Sequence, residues 1–229
     1  MSCGLEADGS VWCWGTGFSY GTLGPEASVV PVRWAGASTV AWTRFALGAA
    51  HACGLDAAGQ ACCIGSNAFG VLGYGGSGGS AVPVPVAGRR VYLDLAVGAD
   101  PSCALAADGQ AWCWGNGATT GNGGLPDRSR DVPVAVAGNV RFAQIVSGQQ
   151  RSCGLTADGS AWCWGVGYNG VMGDGTSEHR MVPTAVAGGL RFRALRAGGV
   201  STCGITLDGS AWCWGGNEMG AVGTSIVGR

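Results

Sequence analysis

Cysteine is the residue of this chain best placed to do chemistry. Eleven occur, and ten fall into five pairs of one spacing: Cys3/Cys13, Cys53/Cys63, Cys103/Cys113, Cys153/Cys163 and Cys203/Cys213. An even, repeated set of this kind reads as a disulfide framework formed in an oxidising compartment. Zinc fits poorly, because a ten-residue spacing is not that of a zinc knuckle and the chain has only two histidines. Cys62 is left over. It stands in the slot held elsewhere by Trp12, Trp112, Trp162 and Trp212, and reads as a small buried apolar residue, not a reactive thiol.

No catalytic set emerges from the remaining candidates. The counterparts of His51 in the other repeats are Pro101, Arg151 and Ser201, so a surface or hydrogen-bonded histidine is expected there. His179 lies in the polar segment Ser177-Glu178-His179-Arg180, which reads as a solvated loop. Asp8, Asp108, Asp158 and Asp208 recur at the middle of a tight turn, where a short side chain that bonds its own backbone is favoured. Gly173-Asp174-Gly175 lacks the alternating acidic ligands of a calcium loop. Gly165-Val166-Gly167 is followed by no helix and is not a phosphate cradle. The expectation is a protein that is not an enzyme and carries no cofactor and no metal.

The element that positions the cysteines is a hairpin. In Ser152-Cys153-Gly154-Leu155-Thr156-Ala157-Asp158-Gly159-Ser160-Ala161-Trp162-Cys163-Trp164-Gly165 an Ala-Asp-Gly turn separates two apolar runs. Parity sets the loop length. A two-residue turn closing on Ala157 and Ser160 would send Cys153 and Cys163 to opposite faces. A three-residue loop closing on Thr156 and Ser160 places them opposite each other, with Gly159 in the left-handed region. Their Cα atoms then fall about 4.5 Å apart, inside the disulfide range. Leu155 and Ala161 share the cysteine face. Gly154, Trp162 and Trp164 take the other, where the Trp162 ring is expected to cover Gly154. Both faces are apolar, so neighbours must cover both.

The hairpin recurs every fifty residues. After it come a glycine-rich loop, a polar segment that differs between copies, and a short strand such as Val132-Pro133-Val134-Ala135-Val136. Proline cannot donate to a ladder, so that strand belongs at an edge. A fourth strand follows, with an aromatic and a large aliphatic three residues on: Trp42 and Phe45, Tyr92 and Leu95, Phe142 and Ile145, Phe192 and Leu195. It ends at Gly48, Gly98, Gly148 or Gly198. Four strands in a repeat of this length predict a β-propeller of antiparallel blades, because one such sheet cannot bury two apolar faces alone. A single propeller over 1–229 is expected, with repeats near 1–48, 49–98, 99–148 and 149–198 and a partial repeat 199–229.

Trp-Cys-Trp-Gly, then Gly70-Val71-Leu72-Gly73, then Val-Pro-x-x-Val, resembles the regulator of chromosome condensation repeat, in five successive copies covering essentially the whole chain. Where that family usually shows glutamine, this chain has Thr22, Val71, Val171 and Ala221. The resemblance implies a propeller, seven-bladed in its best-known members. The two cysteines per repeat resemble a secreted bacterial subset. The proline and aromatic strands occur in four copies against five hairpins, so a piece of a larger ring is expected.

Only 12% of residues are charged and the net charge is −1, so no field would steer nucleic acid or an anionic membrane. No apolar run is long enough to span a bilayer. Met1-Ser2 stands directly before Cys3, inside a repeat, so no signal peptide is expected in this chain. The expected setting is extracellular, cell-surface or periplasmic. The expected function is a binding or scaffold module for a protein or glycan. The resemblance also allows a secreted inhibitor of the β-lactamase-inhibitor propeller type, and third, nucleotide exchange on the Ran GTPase. That last activity relies in the family on an inserted wedge and a reduced compartment; this chain has neither a comparable insertion nor the cysteine usage. The segments after the hairpins vary while the frame repeats, which makes Phe18, Tyr20, Phe69, Tyr168, Asn169 and Met219 the candidate contact residues on one rim. The tryptophans could stack sugars or bases, but their strand register assigns them to packing between blades.

Overall fold

The computed structural model describes residues 1–16, 27–217 and 220–223. Apart from short 3-10 turns, its regular structure is all strand. Blade 1 holds β1 (Ser2–Leu5), β2 (Val11–Gly15) and β3 (Ser28–Arg33). Blade 2 holds β4 (Trp42–Leu47), β5 (His51–Asp56), β6 (Ala61–Gly65) and β7 (Ser80–Pro85). Blade 3 holds β8 (Tyr92–Val97), β9 (Pro101–Ala106), β10 (Ala111–Gly115) and β11 (Arg130–Ala135). Blade 4 holds β12 (Phe142–Ser147), β13 (Arg151–Thr156), β14 (Ala161–Gly165) and β15 (Arg180–Ala185). Blade 5 holds β16 (Phe192–Ala197), β17 (Ser201–Thr206) and β18 (Ala211–Gly215). Each sheet is antiparallel in chain order, and together they form a five-bladed propeller array. The blades are offset from the fifty-residue sequence units, because each four-stranded sheet begins with the aromatic strand at the end of the preceding unit.

The hairpin follows parity. Cys153 lies opposite Cys163, Thr156 N donates to Ser160 O at 2.9 Å, and Gly159 has φ 84°. The turn aspartate holds the loop shut: Asp158 Oδ1 accepts from Ser160 N at 3.1 Å, and Asp8, Asp108 and Asp208 do the same at their own turns. In blade 2, where Ala58 replaces it, Asp56 takes over by accepting from Gln60 N at 2.8 Å. Each hairpin carries its own disulfide, Cys3–Cys13, Cys53–Cys63, Cys103–Cys113, Cys153–Cys163 and Cys203–Cys213, all with a Cα–Cα separation of 4.1 Å.

One packing expectation is corrected. A Cβ at Gly154 would strike the ring of Phe142, not that of Trp162. The same holds for Trp42 at Gly54 and Phe192 at Gly204. A bulge between Phe142 and Gln144 swings the aromatic of the first strand across the sheet. Trp162 instead stays half-buried against the core between blades 3 and 4.

Four seams of one design join the blades. The cysteine face of blade 2, with Cys63, Leu55 and Leu72, packs against Tyr92, Leu95 and Trp114 of blade 3. Cys113 and Leu105 pack against Phe142, Ile145 and Trp164. Cys163 and Met172 meet Phe192, Leu195 and Trp214, and Cys13 and Val11 meet Trp42. Trp114 and Trp164 are at most 1% exposed, as blade-to-blade packing requires. The last disulfide differs from the others. Cys63, Cys113 and Cys163 are closed off from solvent, whereas Cys203 and Cys213 are half-buried, because among the described residues no further blade covers their face. Cys62 lies opposite Gly54, half-buried against the seam of blades 1 and 2, and burial, followed by the Asp56 charge, pushes its thiol pKa up. Strands β4, β8, β12 and β16 touch one another and form the inner side, which leaves the proline strands at the outer edge.

Where the inner loops meet, glycine is required by close approach. A Cβ at Gly98 would collide with the carbonyl of Gly148, whereas one at Gly198 would meet nothing within 4 Å. Gly98→Ala is therefore expected to lose about 2 kcal/mol or more of stability, and Gly198→Ala less than about 0.5 kcal/mol, read by chemical denaturation.

Candidate functional site

Because β5 starts at His51 and β6 ends at Gly65, loops 48–50 and 66–79 share one end of blade 2. Their counterparts in blades 3 and 4 share the same end, and the hairpin turns occupy the other. This loop-bearing rim carries the candidate contact residues. Phe69, Tyr168 and Asn169 lie on it, with Phe69 52% and Tyr168 58% exposed. Phe18, Tyr20 and Met219 fall outside the described residues. The disulfide cysteines, from Cys3 and Cys13 to Cys203 and Cys213, lie in the bodies of the blades and take no part in the rim. The two described rim aromatics, Phe69 and Tyr168, do not converge. They stand on alternate blades, and the intervening loop of blade 3 turns Thr119 and Thr120 fully inward.

The loop of blade 2 is nailed down from below. Buried Asn67 accepts from Leu72 N at 2.9 Å and donates to Gly76 O at 2.6 Å. Val71 O accepts from both Trp114 Nε1 (2.7 Å) and Ser102 Oγ (2.9 Å) of blade 3. On this base Phe69 sits with φ 62°, a left-handed conformation that a bulky residue rarely takes. The corresponding residue in blade 4 is Asn169, φ 51°, a type that tolerates it. Phe69 borders two clefts. One of about 410 Å³ lies over blades 2 and 3 and reaches Gln149 of blade 4, with Ala49, His51, Ser66, Val71 and Asp100 also in its lining. The other, about 500 Å³, lies outward, between Asn67, Gly76, Ser129 and Asp131. In blade 4, His179 is exposed but partnered. Its Nδ1 accepts from Gly167 N at 3.0 Å, and its ring meets Tyr168 edge-on at 5.3 Å.

Two polar residues escaped notice as seam residues. His51 is 1% exposed. Ser102 spends its only hydrogen on Val71 O, so His51 Nε2–H donates to Ser102 Oγ at 2.8 Å, which sets the tautomer. Burial pushes the His51 pKa down to about 3. Arg151, at the same position two blades on, is 2% exposed and donates to carbonyls of blade 5. The signal was available: both residues share parity with the following cysteine and so face the seam. Among the described residues no group of three or more His, Cys, Asp or Glu is placed to hold a metal ion.

A sequence profile described as the regulator of chromosome condensation (RCC1) repeat matches residues 142–171, and a second with the same description matches 158–205. Residues 142–205 carry the regulator of chromosome condensation repeat. Among solved structures, the chain superposes on yeast RCC1 (Prp20), seen bound to Kap60, with a TM-score of 0.83 at 22% identity; the match covers 98% of this chain and 56% of that one. Prp20p from Saccharomyces cerevisiae, described with its binding properties to Gsp1p and histones, matches at 0.78 and 24%, covering 98% and 58%. The ectodomain of the Physcomitrella patens receptor kinase CR4 matches at 0.58 and 27%, covering 93% and 49%. The chain thus spans about half the length of these structures, and the yeast likenesses bear on fold alone. No curated protein matches the chain.

His51 gives the seam a pH dependence. The folded chain keeps it neutral down to about pH 3, while the unfolded chain binds a proton near the ordinary pKa of about 6.5. Unfolding therefore takes up a proton in acid, and stability present above about pH 6.5 is lost as pH falls toward 3. The loss reaches roughly 3 kcal/mol near pH 4.5. Urea unfolding across this range should show it in the parent chain and not in His51→Gln, which cannot take up that proton.

Proposed function

We propose that the chain is a non-catalytic binding module that holds a protein partner on the loop-bearing rim. One observation carries the reading: Phe69, a large apolar side chain half in solvent, is kept in a left-handed backbone conformation on an otherwise well-anchored loop. Glycine or asparagine would fold there at lower cost, so the ring is retained for what it contacts. Exposed aromatics on a rigid base offer large contact area with little side-chain entropy to lose.

The compartment proposed is extracellular or periplasmic. Five disulfides persist best in an oxidising environment, and the likeness to a receptor-kinase ectodomain supports the same setting. The blades are further proposed to belong to a larger closed ring. Trp14 on blade 1 is 38% exposed, while its counterparts Trp114 and Trp164 in completed seams are covered. Cys213 on blade 5 is half-buried, while its counterparts Cys63, Cys113 and Cys163 are covered. Blade 1 thus offers a tryptophan face and blade 5 a cysteine face, the two halves of one seam. A lone, cooperatively folding monomer of these residues with blades 1 and 5 in contact would contradict the larger ring.

Rim substitutions test the binding reading. Phe69→Ala and Tyr168→Ala should each weaken the affinity of an isolated partner by about tenfold or more, as for contact aromatics generally. Phe69→Gly should lose binding to the same degree while gaining about 0.5–1 kcal/mol of stability, because the backbone strain is relieved. Val91→Ser, at the opposite end, should leave binding unchanged. If Val91→Ser abolishes binding and Phe69→Ala does not, the partner sits on the other face.

A further inference from the structure

Arg151 is a buried cation without a counter-ion. Among the described residues no carboxylate lies within ion-pair distance of it. Its acceptors are all neutral: Nη1 donates to Gly199 O at 2.8 Å, and Nη2 to Ser201 O at 2.5 Å, with Gly198 O at 3.3 Å. Nε and Nη2 share Thr202 Oγ1 at 3.2 and 3.0 Å. Nη1 carries two hydrogens and makes one bond, so a donor is left over. Buried charges in proteins are ordinarily paired, since hydrogen bonds to carbonyls recover only part of the lost hydration. Burial lowers the Arg151 pKa to about 10, which still leaves the group charged at neutral pH.

The seam itself does not ask for this charge. The same slot holds His51 and Pro101 at the two preceding seams, and both of those are closed. Arg151 also borders a cleft of about 40 Å³, which Gln149, Tyr168, Asn169, Gly199 and Val200 help to line. It has room for about three water molecules, enough for a carboxylate. Tyr168 and Asn169 at its mouth are exposed.

We propose that this cleft takes the carboxylate of an aspartate or glutamate side chain from the protein partner, seated on the free Nη1 hydrogen of Arg151 and flanked by Tyr168. The inference deepens the rim-binding reading and rests on it. The partner then presents an acidic side chain at the seam of blades 4 and 5. Recognition is short-range, because a net charge of −1 gives the chain no field to draw acidic partners from a distance. Withdrawing the carboxylate from water is offset by the opposite charge already buried there, an interaction worth more than the same pair on the surface.

The test is an NMR titration of the full chain, following the Arg151 Nε–H and Tyr168 ring signals. The probes are the capped peptide acetyl-Gly-Glu-Gly-amide, its Gln counterpart, and inorganic phosphate. The expected result is a saturable shift of both signals with the Glu peptide, at least tenfold weaker with the Gln peptide, and absent from Arg151→Met. Should that variant fail to fold, the comparison of Glu and Gln peptides on the unsubstituted chain decides alone. Equal response to the two peptides, no response at all, or saturation by phosphate at lower concentration than by the Glu peptide overturns the proposal. Those outcomes leave the rim reading standing, since that falls only if Phe69→Ala and Tyr168→Ala spare the affinity of the isolated partner.

Discussion

The contact of one blade's cysteine face with the next blade's tryptophan face is the interaction on which everything else depends. A glycine-rich sheet with two apolar faces and little charge has no way to be stable alone. Stacked, it buries Trp114 or Trp164 almost completely, and burial of a tryptophan is worth several kcal/mol at about 25 cal/mol per Å². The disulfides serve this contact. Each closes a short hairpin, contributing at most about 3 kcal/mol in the entropic account, and presents two strands as one slab to the neighbour. Some polar groups in the seam find partners there, as His51 does on Ser102, while the buried Tyr92 hydroxyl and Trp164 Nε1 have none.

Because the seams hold the fold, the rim loops are free to differ. What they must do is anchor at their base. In blade 2 the anchor is Asn67 with the Val71 carbonyl, in blade 3 Asn116 capping Ala118 N, and in blade 4 His179 on Gly167 N. Three different chemistries reach the same end, and each leaves another surface above it. A frame braced in this way can tolerate Phe69 in a conformation that an isolated loop would abandon.

Much of the fold was legible because strand geometry has a period of two. Parity alone set Cys153 against Cys163 and required three loop residues. Proline marked an edge strand, and the recurring aromatic marked a fourth strand whose place on the inner side only the structure supplied. Parity says which face a side chain takes but not how far it reaches, so the cover over Gly154 was assigned to Trp162 when a bulge delivers Phe142 instead. Nor does it say whether a face finds a neighbour: Cys63 and Cys213 are equivalent by spacing, yet the first is covered and the second half open. His51 and Arg151 were compared across repeats as residue types, and the face they share with cysteine went unused. The rim was legible only as a location. Its geometry depends on contacts between blades, such as Gly75 N donating to Asp131 O at 2.8 Å, and on the left-handed turn at Phe69, neither of which has a periodic signature.

If the seams carry the stability, protection should follow the number of covered faces. Native-state hydrogen exchange, read strand by strand, measures this directly. Amides of β9, β10, β13 and β14, in blades covered on both faces, should exchange only through the largest openings. Those of β1, β2, β17 and β18, in blades with one open face, should exchange roughly a hundredfold faster. Uniform protection across all five blades would contradict the account, because it would mean that each hairpin is held by its own disulfide and ladder and not by its neighbours.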